Sequence, residues 1–221
     1  MTITREELAG MIDHSLLRPQ STREELKKLC REAIEYHFKA VCVNPVHVVD
    51  AAVLLKGETP LICSVVGFPF GTHTLASKAA ETEEVIRLGA QEVDMVLHVG
   101  ALKEGRDDEV AEDIAAVVRA AAGRPVKVIL ETCYLTEEEK IRGCKLSVRA
   151  GAAFVKTSTG YGSAGATTVD VRLMRKTVGT GIGVKAAGGI RTLVDALAMI
   201  GAGANRIGVS ASVAILNELE A

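Results

Sequence analysis

Short β-rich cores and amphipathic segments alternate along the whole chain, and this alternation limits the fold more than any other feature. The cores lie at residues 11–14, 41–43, 61–66, 92–97, 126–131, 154–157, 183–186 and 206–209. Most read as continuous buried runs, which suits strands covered on both faces in a parallel sheet. Between them, apolar residues recur three or four apart, first after Thr22 and then over 46–55, 75–88, 108–121, 137–150, 168–178, 193–200 and 210–219. Eight strands alternating with eight helices predict a (β/α)8 TIM barrel. An open doubly wound sheet stays in play, because alternation alone does not show closure.

Local signals agree with this reading. Thr22 and Glu25 have the spacing of a capping box. The phrases Leu88-Gly89-Ala90, Ala150-Gly151-Ala152 and Ala202-Gly203-Ala204 each precede a core, as expected where glycine ends a helix in the left-handed conformation. No linker, low-complexity tract or composition shift breaks the chain, so residues 1–221 are expected to form one domain.

Composition narrows the partners. With 48% apolar residues the chain is not globally disordered, and its apolar runs fall far short of the roughly 20 residues of a membrane span. The opening Met-Thr-Ile-Thr-Arg-Glu-Glu has no basic stretch followed by an apolar one, so no secretory leader is expected. Cys30, Cys42, Cys63, Cys133 and Cys144 are odd in number and lack a C-x-x-C pair. They fit neither a disulfide framework nor a zinc ribbon, and a cytoplasmic setting is expected. A net charge of −2 gives no electrostatic basis for binding nucleic acid. A small molecule is the expected partner, with no nucleic acid and no membrane.

In such barrels the strand ends carry the chemistry. Asp94, Lys156 and Lys185 are charged residues inside otherwise apolar cores. Burying an ammonium is costly, so lysines there need a reason. A structural ion pair is the competing account for each residue alone. Two lysines on neighbouring strands disfavour each other's charge, which is one way to obtain a neutral amine that attacks carbonyls. Asp94 is then placed to move protons.

Gly188-Gly189 and the stretch Gly208-Val209-Ser210 follow the seventh and eighth cores, where barrels commonly hold phosphate. Ordinary turn and capping chemistry, with Ser210 as the N-cap of the last helix, is the alternative. Gly160, Gly162 and Gly165 match G-x-G-x-x-G, but no acidic residue stands about 20 positions on, so loop geometry explains them better than a dinucleotide site. His14, His37, His47, His73 and His98 form no metal-binding spacing, and no metal or other cofactor is expected. Cys133, near a strand end, reads as a small buried hydrophobe.

At these residues the chain resembles the deoxyribose-phosphate aldolase family. The resemblance runs over nearly the whole chain and is carried by Ile12-Asp13-His14-Ser15-Leu16-Leu17, Ala40-Val41-Cys42-Val43-Asn44-Pro45, Glu92-Val93-Asp94-Met95-Val96, the run from Phe154 to Gly160, and the run from Val184 to Arg191. It implies a (β/α)8 aldolase that cleaves 2-deoxy-D-ribose 5-phosphate to glyceraldehyde 3-phosphate and acetaldehyde, without a cofactor. It further implies Lys156 as the Schiff-base lysine, Lys185 as the lysine that lowers its pKa, and Asp94 as the acid/base partner. Asp13, Cys42, Thr159 and Gly160 are implied about the substrate, and Gly188, Gly189, Gly208 and Ser210 about its phosphate. A homo-oligomer is also expected. The chain departs from many members at Tyr161, where they carry lysine, and from some at Ala211, where they carry a second serine. It also ends at Ala221, without the tail tyrosine that some possess. Other lysine-dependent aldolases and a non-catalytic phosphosugar-binding barrel are the rival readings.

Overall fold

The structure is a computed structural model that describes residues 3–219. Eight strands, β1 (Ile12–Leu16), β2 (Ala40–Val43), β3 (Leu61–Val66), β4 (Glu92–Val96), β5 (Val126–Ile129), β6 (Phe154–Lys156), β7 (Gly183–Ala187) and β8 (Arg206–Val209), close into a barrel in chain order. All pairs are parallel, and β8 returns to β1 through Asp13 opposite Gly208. Closure excludes the open sheet.

Ten α-helices surround the barrel among the described residues: α1 (Arg5–Ala9), α2 (Arg23–Glu35), α3 (Val48–Leu54), α4 (Leu75–Arg87), α5 (Val99–Lys103), α6 (Asp107–Ala120), α7 (Glu137–Arg149), α8 (Thr168–Val178), α9 (Leu193–Gly201) and α10 (Ser212–Asn217). Two exceed the expected eight. Helices α1 and α5 have five residues each, too few to display a 3.6-residue period. None of the described helices is long and apolar enough to cross a membrane.

The local signals form as expected. Glu25 N–H donates to Thr22 Oγ1 at 3.3 Å, and Thr22 N–H donates to Glu25 Oε2 at 2.8 Å, closing the capping box of α2. Gly89, Gly151 and Gly203 all take positive φ. After each, the alanine N–H bonds five residues back, as in Ala90 to Val85 O at 2.9 Å. Three αβ turns thus share one device. The last helix differs: it starts at Ser212, Ala211 is its cap residue and makes no side-chain cap bond. Ser210 is therefore not the N-cap, and its place is the loop before the helix.

Side chains alternate across each strand. Outward residues such as Val41, Val93, Met95, Val128, Val155, Val184 and Ile207 join the main apolar core between barrel and helices. The inward positions are different in kind. Cys42, Cys63 and Val65 form a small apolar cluster inside, and Asp13, Glu92, Asp94, Lys127, Lys156, Lys185 and Arg206 form a buried charged one.

Candidate active site

Strand register brings the charges together. Asp94 stands opposite Lys127, Lys156 opposite Lys185, and Lys185 opposite Arg206. Asp94 Oδ2 accepts from Lys156 Nζ at 2.8 Å and from Lys185 Nζ at 2.7 Å, while Oδ1 accepts from Lys127 Nζ at 2.9 Å. Lys185 also donates to Asp13 at 2.5 Å. Below them, Arg206 bonds Asp13 at 2.6 Å and Glu92 at 3.0 Å, and Lys127 lies 2.8 Å from Glu92. The three residues singled out from sequence, Asp94, Lys156 and Lys185, are thus in direct contact, and Asp13 joins them. Lys127, Glu92 and Arg206 were missed.

The electrostatics follow from this packing. Burial alone pushes the Asp94 carboxyl up, but Lys127, Lys156 and Lys185 outweigh it and hold it well below the usual carboxylate range. Asp13 is likewise pushed up by burial and pulled down by Lys185, Lys127 and Arg206, to about 2. Burial would lower Lys185, yet Asp13 and Asp94 raise its pKa above the ordinary lysine value. The packing therefore favours the charged form of Lys185. Four cationic side chains (Lys127, Lys156, Lys185, Arg206) face three carboxylates (Asp13, Glu92, Asp94). The cluster balances when one of the four is an uncharged amine. Lys156 touches a single carboxylate and also lines the open cavity above the cluster.

That cavity, about 760 Å³, opens at the carboxyl ends of the strands. Thr159, Gly160, Gly188, Gly189, Gly208 and Ser210, all expected from sequence, line it together with Lys156. Gly188 and Gly189 both adopt positive φ, which glycine tolerates best. Gly165 explains the apparent dinucleotide motif: a Cβ there would lie 2.2 Å from Gly188 O, so only glycine lets the β6–α8 loop meet the β7 loop. Ala166 N–H then donates to Gly188 O at 2.9 Å. Gly208 leaves room for the Lys185 stem, since a Cβ would come 3.0 Å from its Cε.

The remaining residues meet the cavity in different ways. Cys42 is fully buried beside Cys63 on β3, beneath the cavity. The backbone N–H and the hydroxyl of Thr159 both donate to Glu131, at 3.1 Å for the N–H. Tyr161 lines the cavity and donates its hydroxyl to Leu17 O at 2.9 Å, bridging the mouth between β6 and β1. Cys133 is only half-buried, against the expectation of a buried hydrophobe, because it lies in a 3₁₀ turn after β5 rather than in the strand.

Two buried sets, Cys42–Cys63–Asp94 and Asp13–Cys63–Glu92, bring potential metal ligands within 4.8 Å of one another. Their carboxylate oxygens are already engaged by lysine and arginine, and a cation there would face the same four positive charges. The cluster is built for ammonium groups.

A lysine amine lining a barrel cavity, sharing a carboxylate with a second lysine, is an arrangement suited to Schiff-base chemistry. Comparison with known proteins agrees. The chain belongs to the DeoC/LacD family of aldolases, whose model it matches over residues 8–218. Proteins named deoxyribose-phosphate aldolase from Staphylococcus epidermidis and from a Geobacillus species are each 57% identical to it. The first match spans 212 residues and 96% of both chains; the second spans 210 residues, 95% of this chain and 94% of the relative. The tetrameric deoxyribose phosphate aldolase of Aeropyrum pernix superposes with a TM-score of 0.93 at 37% identity, covering 99% of this chain and 93% of its own.

Proposed function

We propose that this enzyme cleaves 2-deoxy-D-ribose 5-phosphate reversibly to D-glyceraldehyde 3-phosphate and acetaldehyde, through a Schiff base on Lys156. The observation that carries the reading is the placement of Lys156: its amine reaches the cavity while sharing one Asp94 oxygen with Lys185. The close likeness to named deoxyribose-phosphate aldolases supports the substrate.

Neutral Lys156 adds to the aldehyde carbon of the open-chain sugar, and loss of water leaves an iminium. The iminium takes up the electron pair as the C2–C3 bond breaks and the C3 hydroxyl loses its proton, releasing glyceraldehyde 3-phosphate. The enamine that remains is protonated at C2, and water frees acetaldehyde and the amine. Asp94 Oδ2, the common acceptor of Lys156 and Lys185, holds the two amines side by side and serves as the acid/base partner that hands protons between Lys156 and water. Gly188 and Gly189 after β7, and Gly208 and Ser210 after β8, receive the phosphate, Thr159 and Gly160 meet the rest of the substrate, and Asp13 and Cys42 lie buried beneath it. The family's activity supports a role in deoxyribose catabolism. The cytoplasm is the compartment we propose, in keeping with five free cysteines. A homo-oligomer is proposed by likeness to the Aeropyrum tetramer.

The test is an assay of deoxyribose 5-phosphate cleavage beside Lys156→Ala and Lys185→Ala. Wild-type turnover with loss in both variants supports the reading, and unchanged rates in both overturn it. Pyruvate and dihydroxyacetone, offered as alternative donors, separate it from other lysine-dependent aldolases.

A further inference from the structure

Glu131 is a buried carboxylate that the proposed chemistry leaves unused. It follows β5 directly and holds φ 55° and ψ 63°, a left-handed conformation that non-glycine residues seldom adopt. Strained backbone of this kind persists where surrounding contacts over-determine it, and it concentrates at functional sites.

Those contacts are specific. Glu131 Oε1 accepts from Thr159 N–H at 3.1 Å, and Oε2 accepts from the Thr159 hydroxyl. Thr159 Oγ1 in turn accepts from Tyr161 N–H at 3.0 Å. Across the same junction, Thr132 N–H donates to Thr157 O at 3.0 Å. Gly162 completes the fit: a Cβ there would come 2.7 Å from Cys133 Sγ and 3.2 Å from Glu131 Cδ. One carboxylate therefore organises the turn from Thr159 to Gly162, and Thr159, Gly160 and Tyr161 form one wall of the cavity. Tyr161 extends the hold across the mouth, through its hydroxyl to Leu17 O and its ring edge-on to Phe68.

We infer that Glu131 is a positioning residue: it fixes the Thr159–Tyr161 wall against which the substrate is bound, and does not touch the reacting atoms. This rests on the function proposed above. Lys156 is held separately, by Asp94 from below. Loosening Glu131 should therefore weaken substrate binding and spare imine formation.

Glu131→Gln keeps the size but cannot accept both Thr159 donors. Its KM for deoxyribose 5-phosphate should rise about tenfold, the effect of losing a hydrogen bond to a charged group. The kcat and the borohydride trapping of acetaldehyde on Lys156 should stay near wild type. Thr159→Val loses the hydroxyl bond to Glu131 and keeps the N–H bond, so it should raise KM less, and the double variant should show less than the sum of the two effects, because the hydroxyl bond is common to both. An unchanged KM in Glu131→Gln, equal losses in kcat and trapping, or additive effects would each overturn the inference. Amide hydrogen exchange without substrate gives an independent readout. Protection at Thr159 and Tyr161 should fall in Glu131→Gln, and unchanged protection overturns the positioning role whatever the substrate proves to be. Failure of wild-type cleavage, by contrast, counts against the substrate assignment alone.

Discussion

Lys156 and Lys185 stand opposite each other on β6 and β7 and donate to the same oxygen, Asp94 Oδ2, at 2.8 and 2.7 Å. Two ammonium groups so close oppose each other's charge. Lys185 has two carboxylates, Asp13 and Asp94, and Lys156 has one. On this asymmetry rests the proposal that Lys185 keeps its charge and Lys156 is the nucleophile.

Replacing Lys185 by Met keeps most of the stem and removes the charge. Asp13 and Asp94 then lose a partner in the buried barrel interior, and breaking a buried pair costs about 3–5 kcal/mol. Urea denaturation should show that loss. Cleavage should slow by at least about 100-fold, as expected for a group that moves or stabilises protons. A stable variant with near-normal kcat would contradict the assignment.

Lys127 predicts a different pattern. It bonds Asp94 Oδ1 and Glu92 from below and does not line the cavity. Lys127→Met should be destabilised by a similar about 3–5 kcal/mol, yet acetaldehyde should still be trapped on Lys156, at a reduced rate. Complete loss of labelling in a folded variant would show that Lys127 acts on the chemistry itself.

Asp13 links the site to acid stability. Its pKa falls from the ordinary 3.8 to about 2 in the folded protein. The unfolded chain therefore binds the proton first as pH falls. The stabilisation is full above about pH 4 and is lost as pH drops through about 2, amounting to about 2 kcal/mol. Asp94 acts with the same sign. Urea midpoints measured down this range should fall for wild type and change less for Asp13→Asn; parallel curves would contradict the linkage.

Gly165→Ala tests the junction of the β6 and β7 loops. The added Cβ meets Gly188 O at 2.2 Å, so backbone must move. The expected cost is about 1–3 kcal/mol, with a higher KM for the phosphorylated sugar and little change in acetaldehyde trapping. Wild-type KM would show that the Gly188 loop does not hold the phosphate.

Much of this was legible before the structure, and the omissions have physical causes. Six of the eight cores differ from their strands by one or two residues at an end, and two coincide, because strands that face helices on one side keep a strong apolar signal. Asp94, Lys156 and Lys185 stood out as charges in apolar runs. Lys127, between Val126 and Val128, carries the same signal, but its importance depends on register, which places it opposite Asp94. Glu92 and Arg206 are the first residues of their strands, where sequence does not separate a buried inward position from an exposed strand start. The runs looked continuous because each strand has few inward residues, though the strands do alternate between an apolar outside and a charged inside. Glu131 was hidden by its backbone conformation, which nothing in the local composition demands.

The central claim is that Lys156 carries the imine, and reductive trapping tests it most directly. Wild-type protein treated with acetaldehyde and borohydride should gain one ethyl group, and peptide mass mapping should locate it on Lys156, with none in Lys156→Ala. An ethyl group on Lys185 or Lys127 instead, or no stable adduct from an enzyme that still cleaves deoxyribose 5-phosphate, would contradict the account.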